Sequence, residues 1–244
     1  MAEKIIKLYN KDRLASEQIE QVAFINKPVN KTALASLSLS GEEFSGNAVL
    51  CLGALKLINK REGKFQVFGS KQLLKIFVDD NGYINGQMPT FNLIGKLKQT
   101  KEGFPIIPLQ GITQILVFKN FNKNDSWLKK EAKKIIINNN LENSLAVVVD
   151  FIDKVSSFYK IKPYVYFRKG LIYELVRETA CGSATTAVGI YLSILGNKSI
   201  EYQKVIQPSK DALYISVNKV GNKFTSYLSG KVKILYEGPF KLNK

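Results

Sequence analysis

Two stretches of this chain, residues 42–55 and 178–191, align without a gap at an offset of 136 residues. Glu42 falls on Glu178, Ser45 on Cys181, Gly46 on Gly182, Ala48 on Ala184 and Gly53 on Gly189. In the second copy Gly182 and Ser183 permit a tight turn, with Ser183 read as the N-cap. Val188, Tyr191, Leu192 and Leu195 then follow at i, i+3, i+4 and i+7, the spacing of one helical face. Cys181 therefore stands just ahead of a helix N-terminus, where unpaired N–H groups and the positive dipole end favour a thiolate or a substrate carboxylate. A small buried cysteine in an apolar helix start is the competing reading of that stretch taken alone. The repeat tips the balance. An offset longer than half the chain is no solenoid period; it points to two similar halves, each presenting a loop-to-helix start to a common cleft.

The other elements are read around these two helices. Residues 4–9 read as a short strand and 12–21 as a helix capped by Asp12, with Leu14, Ile19 and Val22 on its apolar side. Strands are expected at 22–25 and 32–39, then a helix at 46–59. Strands at 64–68, 73–78 and 83–88 follow, with Asp80-Asn81-Gly82 turning between the last two. A strand at 111–118 opens the second half, and the lysine-rich run 118–123 reads as a solvated loop. An amphipathic helix at 125–136 buries Trp127, Leu128, Ala132 and Ile135. Strands at 146–151, 164–167 and 171–176 precede the Cys181 helix; strands at 202–206, 213–217 and between 224 and 236 come after it. The order is α/β (α+β), too rich in strands for a doubly wound sheet.

Composition removes several functions. The formal charge of +16 invites a nucleic-acid reading, but arginine occurs only at Arg13, Arg61, Arg168 and Arg177 and the lysines are scattered. Readers of bases and phosphates favour the bidentate fork of arginine, so no nucleic-acid partner is expected. The chain has no histidine, which excludes histidine metal ligation and a Ser-His-Asp triad. No apolar run reaches the length of a membrane span and the first residues lack a signal-peptide core, so no membrane partner and a cytoplasmic location are expected. Cys51 lies nearly two helical turns beyond Ser45, which argues against a disulfide with Cys181.

Further landmarks carry a resemblance. Cys181-Gly182-Ser183-Ala184 and Ser45-Gly46-Asn47-Ala48 each open a helix; Gln87-Met88-Pro89, Gln207-Pro208-Ser209-Lys210-Asp211-Ala212-Leu213 and Ser229-Gly230-Lys231-Val232 ahead of Tyr236-Glu237-Gly238 stand in order around them. Together they resemble the diaminopimelate epimerase-like superfamily of cofactor-independent amino-acid racemases. Gln21-Val22-Ala23-Phe24-Ile25, Ser40-Gly41-Glu42-Glu43-Phe44 and Tyr83-Ile84-Asn85-Gly86-Gln87-Met88-Pro89 are similar to its histidine racemase branch, the one serving staphylopine-type metallophores. The resemblance implies two halves, each a mixed sheet curled around a central helix, with the active site in the cleft between them. It places the first half at 1–110, closed by 229–244, and the second at 111–228. It implies an amino-acid substrate, no cofactor and no metal, and leaves a homodimer open.

By that resemblance Cys181 and Ser45 hold the two catalytic positions. The backbone N–H groups of Gly46, Asn47, Gly182 and Ser183 would bind the α-carboxylate. Glu42 and Glu178, three residues ahead of the catalytic positions, bind the amino group or simply cap the helices; Asn10 reaches the substrate if Tyr9-Asn10 matches the branch. Racemisation lifts the α-proton from one face and returns one to the other, so the family uses a thiolate and a thiol, and a helix start is expected to lower the thiol pKa. Serine at position 45 departs from that pattern, because a hydroxyl is too weak an acid to be poised near neutral pH. Three accounts stay open: an engineered substitution in a two-thiol racemase, a natural one-thiol isomerase or dehydratase relative, and an inactive amino-acid-binding protein. A diaminopimelate substrate is disfavoured, since Leu175 follows Tyr173-Glu174 where those enzymes carry arginine.

Overall fold

The computed structural model describes residues 1–11, 18–39, 44–118, 123–142, 144, 146–169 and 172–239. In chain order the elements are α1 (Ala2–Asn10), β1 (Ala23–Asn26), β2 (Ser36–Leu39), α2 (Gly46–Lys56), β3 (Glu62–Val67), β4 (Leu74–Val78), β5 (Ile84–Gln87), β6 (Phe91–Asn92), β7 (Ile106–Leu109), β8 (Ile112–Phe118), α3 (Asp125–Asn138), β9 (Ala146–Val155), β10 (Phe158–Lys169), β11 (Ile172–Arg177), α4 (Gly182–Gly196), β12 (Ile200–Ile206), β13 (Ala212–Val220) and β14 (Lys223–Gly230). The strands join in one path, β1-β2-β3-β4-β5-β14-β13-β12-β10-β9-β8-β7, with β11 beside β10 and β6 beside β14. Most pairs are antiparallel; β2·β3, β8·β9 and β10·β12 are parallel. This is a mixed α+β fold of two similar halves. Strand β14 joins them, pairing with β5 through Tyr227↔Gln87 to Gly230↔Ile84 and with β13 on its other side.

Each repeated stretch becomes a buried helix inside its own core. Helix α2 packs Val49, Leu50 and Leu52 against Leu37, Phe65, Leu74 and Ile76. Helix α4 packs Ala184, Ala187, Val188 and Ile190 against Ile152, Val205, Ile215 and Phe224. Both helices are apolar around most of their circumference, as a helix wrapped by sheet must be. The shared glycine explains how they lie so close to the strands. A β-carbon on Gly53 would fall 2.6 Å from Ile84 Cγ2, and one on Gly189 2.6 Å from Ile215 Cγ1. Alanine at either place would force the helix off its sheet.

Strand β9 is buried on both faces. Its Ile152 belongs to the core around α4, while Val147, Val149 and Phe151 belong to a third core under α3. That two-sided burial is why the stretch reads as a continuous apolar run rather than an alternating one.

Several sequence expectations change. Residues 4–9 lie in helix α1, not a strand: Ala2, Ile5, Ile6 and Tyr9 recur with helical period, and Ala2 is buried while the other three are half-buried. Of the expected helix at 12–21, residues 12–17 fall outside the described residues and 18–21 are not helical. Helix α2 stops at Lys56, three residues early. On α3 the buried face is Leu128, Ala132, Ile135 and Ile136; Trp127 is 40% exposed because it stands one position off that stripe, beneath Lys123. On α4 the expected stripe is only half right. Val188 is fully buried, but Leu195 is 70% exposed, since the last turn runs past the edge of its sheet. No strand forms at 231–236, where Ile234, Leu235 and Tyr236 are exposed.

Candidate active site at the paired helix starts

Ser45 and Cys181 hold the same backbone position in their two halves. Each is the N-cap of its helix, with φ −129° and ψ 118° at Ser45 and φ −134° and ψ 104° at Cys181. Cys181, not Ser183, is therefore the cap of α4: the helical ladder already begins at its carbonyl, which accepts from Thr185 N at 3.1 Å. Ser183 is helical and its hydroxyl serves the thiol instead.

The two helix starts touch. A β-carbon on Gly182 would lie 3.1 Å from Gly46 Cα and 2.8 Å from Leu228 Cδ2, and one on Gly46 would lie 3.3 Å from Gly182 Cα. Only glycine lets the backbones meet here. Asn47 Nδ2 donates to the carbonyl of Ala180 at 2.9 Å, and Thr179 Oγ1 donates to Glu20 Oε1 at 2.7 Å. The first N–H groups of a helix have no intrahelical acceptor, so Gly46, Asn47, Gly182 and Ser183 bring two such sets to one junction.

The two caps differ chemically. Ser45 Oγ accepts from Ala48 N at 3.3 Å and donates to Gln21 Oε1 at 3.0 Å. Its proton is thus already engaged by an amide oxygen that is no base. Cys181 is buried; its N–H donates to Gln207 Oε1 at 2.9 Å, and Gln207 Nε2 donates to Thr185 Oγ1 at 3.0 Å. Its Sγ lies 3.2 Å from Ser183 Oγ, which accepts from Gln114 Nε2 at 3.0 Å. The thiol and the Ser183 hydroxyl thus share a hydrogen bond, and the thiol is also hydrogen-bonded to the Glu178 carboxylate.

Electrostatics reverse the sequence expectation for the thiol. Burial pushes the Cys181 thiol well above the usual range, the charges of Glu178 and Asp150 and the bond to Glu178 push the same way, and the bond from Ser183 opposes them. Burial first, and then the acidic neighbours, hold Cys181 as a thiol. Glu178 is half-buried, its N–H donates to Pro163 O at 3.2 Å, and its carboxylate stands against the sulfur. Glu42 lies outside the described residues. Asn10 is turned to the backbone: its amide donates to Ile19 O at 2.9 Å and accepts from Ile19 N at 2.8 Å.

Four residues around the site were missed by sequence reasoning: Gln21, Gln114, Asp150 and Gln207. Gln114 and Asp150 did leave a signal, each a polar residue inside an apolar strand run. Gln207 and Gln21 each stood in a noted landmark with no role attached. A cavity of about 470 Å³ opens beside the junction, where Asn47, Ala180, Gln207 and Tyr214 line it; Ser45 and Cys181 do not. Both cysteines are free thiols.

The family model described as the histidine racemase CntK N-terminal domain matches residues 4–240. The chain belongs to this family. It is an amino-acid racemase/epimerase. Histidine racemases from two strains of Fusobacterium nucleatum subsp. nucleatum are each 27% identical to it, covering 92% and 90% of this chain and 82% and 80% of their own lengths. A hydroxyproline epimerase from Agrobacterium vitis, solved with bound trans-4-hydroxy-L-proline, has a TM-score of 0.61 at 13% identity, covering 91% of this chain and 75% of that one. A phenazine biosynthesis protein of the PhzF family from Enterococcus faecalis has a TM-score of 0.53 at 14% identity, covering 98% and 87%. Those two structures share the fold. In this member of the histidine racemase family the matched helix starts meet at Gly46 and Gly182, and no helix among the described residues is long and apolar enough to cross a membrane.

Proposed function

We propose that this racemase inverts the α-carbon of a free amino acid, histidine first, without a cofactor, and that Cys181 is its acid–base group on one face. The observation that carries the reading is the contact of the two matched helix starts, with Cys181 capping one and Ser45 the other. Histidine rests on the family and on the names of the two Fusobacterium relatives. In this scheme the substrate carboxylate sits on the N–H groups of Gly46, Asn47, Gly182 and Ser183, which take up the charge that develops when the α-proton leaves. Cys181 gives its thiol proton to the α-carbon on its own face after the α-proton has left from the other face to a base at position 45, a role that a thiolate there fills and that the Ser45 hydroxyl, bound to Gln21, fills poorly. To work in the reverse sense the thiol first passes that proton to the Glu178 carboxylate, and the thiolate then lifts the α-proton.

Position 45 serves the other face. Its hydroxyl is bound to Gln21 Oε1, which favours a second reading, a one-thiol isomerase in which Ser45 only holds the substrate. The halves are taken as 1–110 closed by 229–244, and 111–228, with the hairpin of β7 and β8 spanning the junction.

Chiral chromatography of histidine and other amino acids, run with the unaltered chain, Cys181→Ala and Ser45→Cys side by side, tests both readings. Cys181→Ala is expected to lower racemisation by at least about 100-fold, the usual contribution of a positioned acid–base group. Ser45→Cys is expected to raise it. Full activity in Cys181→Ala would sink the thiol reading; equal racemisation by the unaltered chain and Ser45→Cys would show that a second thiol is dispensable.

A further inference from the structure

Beneath the start of α4 lies a carboxyl that the scheme above does not use. Asp150, on β9, has no exposed surface, and neither carboxyl oxygen has a hydrogen-bond partner among the described residues. Its direction follows from the register. Asp150 sits opposite Leu116 on β8 and Pro163 on β10. Leu116, Ile152 and Ile161 belong to the core around α4, whereas Ile115, Val149, Phe151 and Tyr164 belong to the core under α3. Residues two apart on a strand share a face, so Asp150 points with Ile152 toward α4. Gln114 shares that face two positions before Leu116 and reaches Ser183 at the helix start.

The surroundings are specific. Pro163, the partner of Asp150 on β10, accepts the N–H of Glu178, which fixes the Glu178–Cys181 segment over this part of the sheet. Helix α4 carries no charged residue from Gly182 to Gly196. The same face of β8 and β10 presents Gln114, Leu116, Ile161 and Pro163, none of which titrates, and Tyr159 lies two positions beyond Ile161 on β10. The titratable groups acting on this corner are Glu178 and Cys181. An ionised carboxylate without a partner is very costly in such a place.

We propose that Asp150 is a positioning residue for the Cys181 chemistry, a carboxylic acid that stays neutral while the enzyme works and whose ionisation shuts off the Cys181 thiolate. The inference rests on Cys181 being the acid–base group. Its physical content is charge counting in a dry corner. With Asp150 neutral, the proton of Cys181 moves to Glu178 and the corner keeps a single negative charge throughout. With Asp150 ionised the corner carries two negative charges on both sides of that step, and the thiolate forms against the Asp150 charge that acts on Cys181. Burial, and then the charge of Glu178, hold the Asp150 carboxyl well above the usual carboxylate range, as this scheme requires.

The test reads Asp150 and Cys181 separately. In the full chain with Cys51→Ala, the rate of Cys181 alkylation by iodoacetamide is followed against pH by intact mass, with and without Asp150→Asn. At alkaline pH, Asp150→Asn is expected to alkylate at least ten times faster, with its midpoint moved to lower pH; an unchanged profile overturns the proposal. A ¹³C-aspartate titration of the unaltered protein needs no variant to fold. One aspartate should stay protonated through neutral pH, and the absence of any such resonance also overturns the proposal. Loss of racemisation in Cys181→Ala is scored independently, so a failure of the thiol reading is distinguishable from a failure of Asp150.

Discussion

Asn47 holds Ala180: its side-chain amide donates to the Ala180 carbonyl at 2.9 Å across 133 positions of sequence. The residue just inside one helix start is thereby tied to the residue just before the cap of the other. Asn47→Ala removes the donor and leaves a part-buried carbonyl unpaired, at a cost of about 1–3 kcal/mol. Urea unfolding should show that loss, and steady-state kinetics should show a raised KM, since the proposed carboxylate cradle is built from both sides of this bond. Unchanged KM would detach the bond from the site.

The glycines of the repeat predict two different failures. Gly189→Ala gains about 1 kcal/mol of helix propensity but drives a β-carbon to 2.6 Å from Ile215 Cγ1. Overpacking costs about 1–3 kcal/mol, so thermal denaturation should show a net loss of stability. Gly182→Ala meets the backbone of Gly46 as well as Leu228, and backbone gives way less readily than a side chain. Its activity should fall further than its stability, measured on the same preparation.

Stability against pH carries a signature of Asp150. Its folded pKa is raised, so above the unfolded value of about 3.9 the unfolded chain releases a proton that the folded chain keeps. Stability from this group is therefore complete below about pH 4 and lost as pH rises toward the folded pKa. Asp150→Asn lacks that slope. The difference in urea midpoint, variant minus parent, should be flat below about pH 4 and rise with pH above it; a flat difference throughout would refute it.

Glu102 predicts the opposite sign. Its carboxylate accepts from Asn138 Nδ2 at 3.1 Å and Asn139 Nδ2 at 2.9 Å, and despite a desolvation cost these bonds bring its pKa down to about 2. The contribution is present above the unfolded pKa and is lost as pH falls toward 2. Because Glu102 is exposed, Glu102→Gln should cost below about 1 kcal/mol at neutral pH and nothing near pH 2, as read by urea midpoints at the two pH values.

How much of this was legible in the sequence depends on the range of the interaction. The repeat marked both helix starts, and Gly46, Gly182, Gly53 and Gly189 each turned out to be a close approach of backbone to a neighbour. The strand at 73–78 was legible, and Leu74–Val78 forms it. Residues 4–9 were misread because a short apolar run fits both periods, and only the spacing of Ala2, Ile5, Ile6 and Tyr9 separates them. Ser183 was misread as the cap because composition favours serine there, whereas capping is decided by backbone angles at Cys181. The partners of the site, Gln21 on Ser45 and Asp150 beneath Cys181, come from distant strands and loops, and one sequence alone does not pair them.

The position of β14 between β5 and β13 has a consequence for how the site comes into being. Residues 223–230 are made after every other strand described, and among the described residues they are what bridges the edge of β5 to β13. Until they arrive, the start of α2 and the start of α4 are borne on two separate pieces of sheet, and β5 keeps an open edge toward solvent. The junction at Gly46 and Gly182 therefore closes only after β14 has been made, by pairing of residues some 140 positions apart (Gly86 with Leu228, for example). Contacts of that span make folding slow, and the assembled junction is a product of the strand that bridges the two halves.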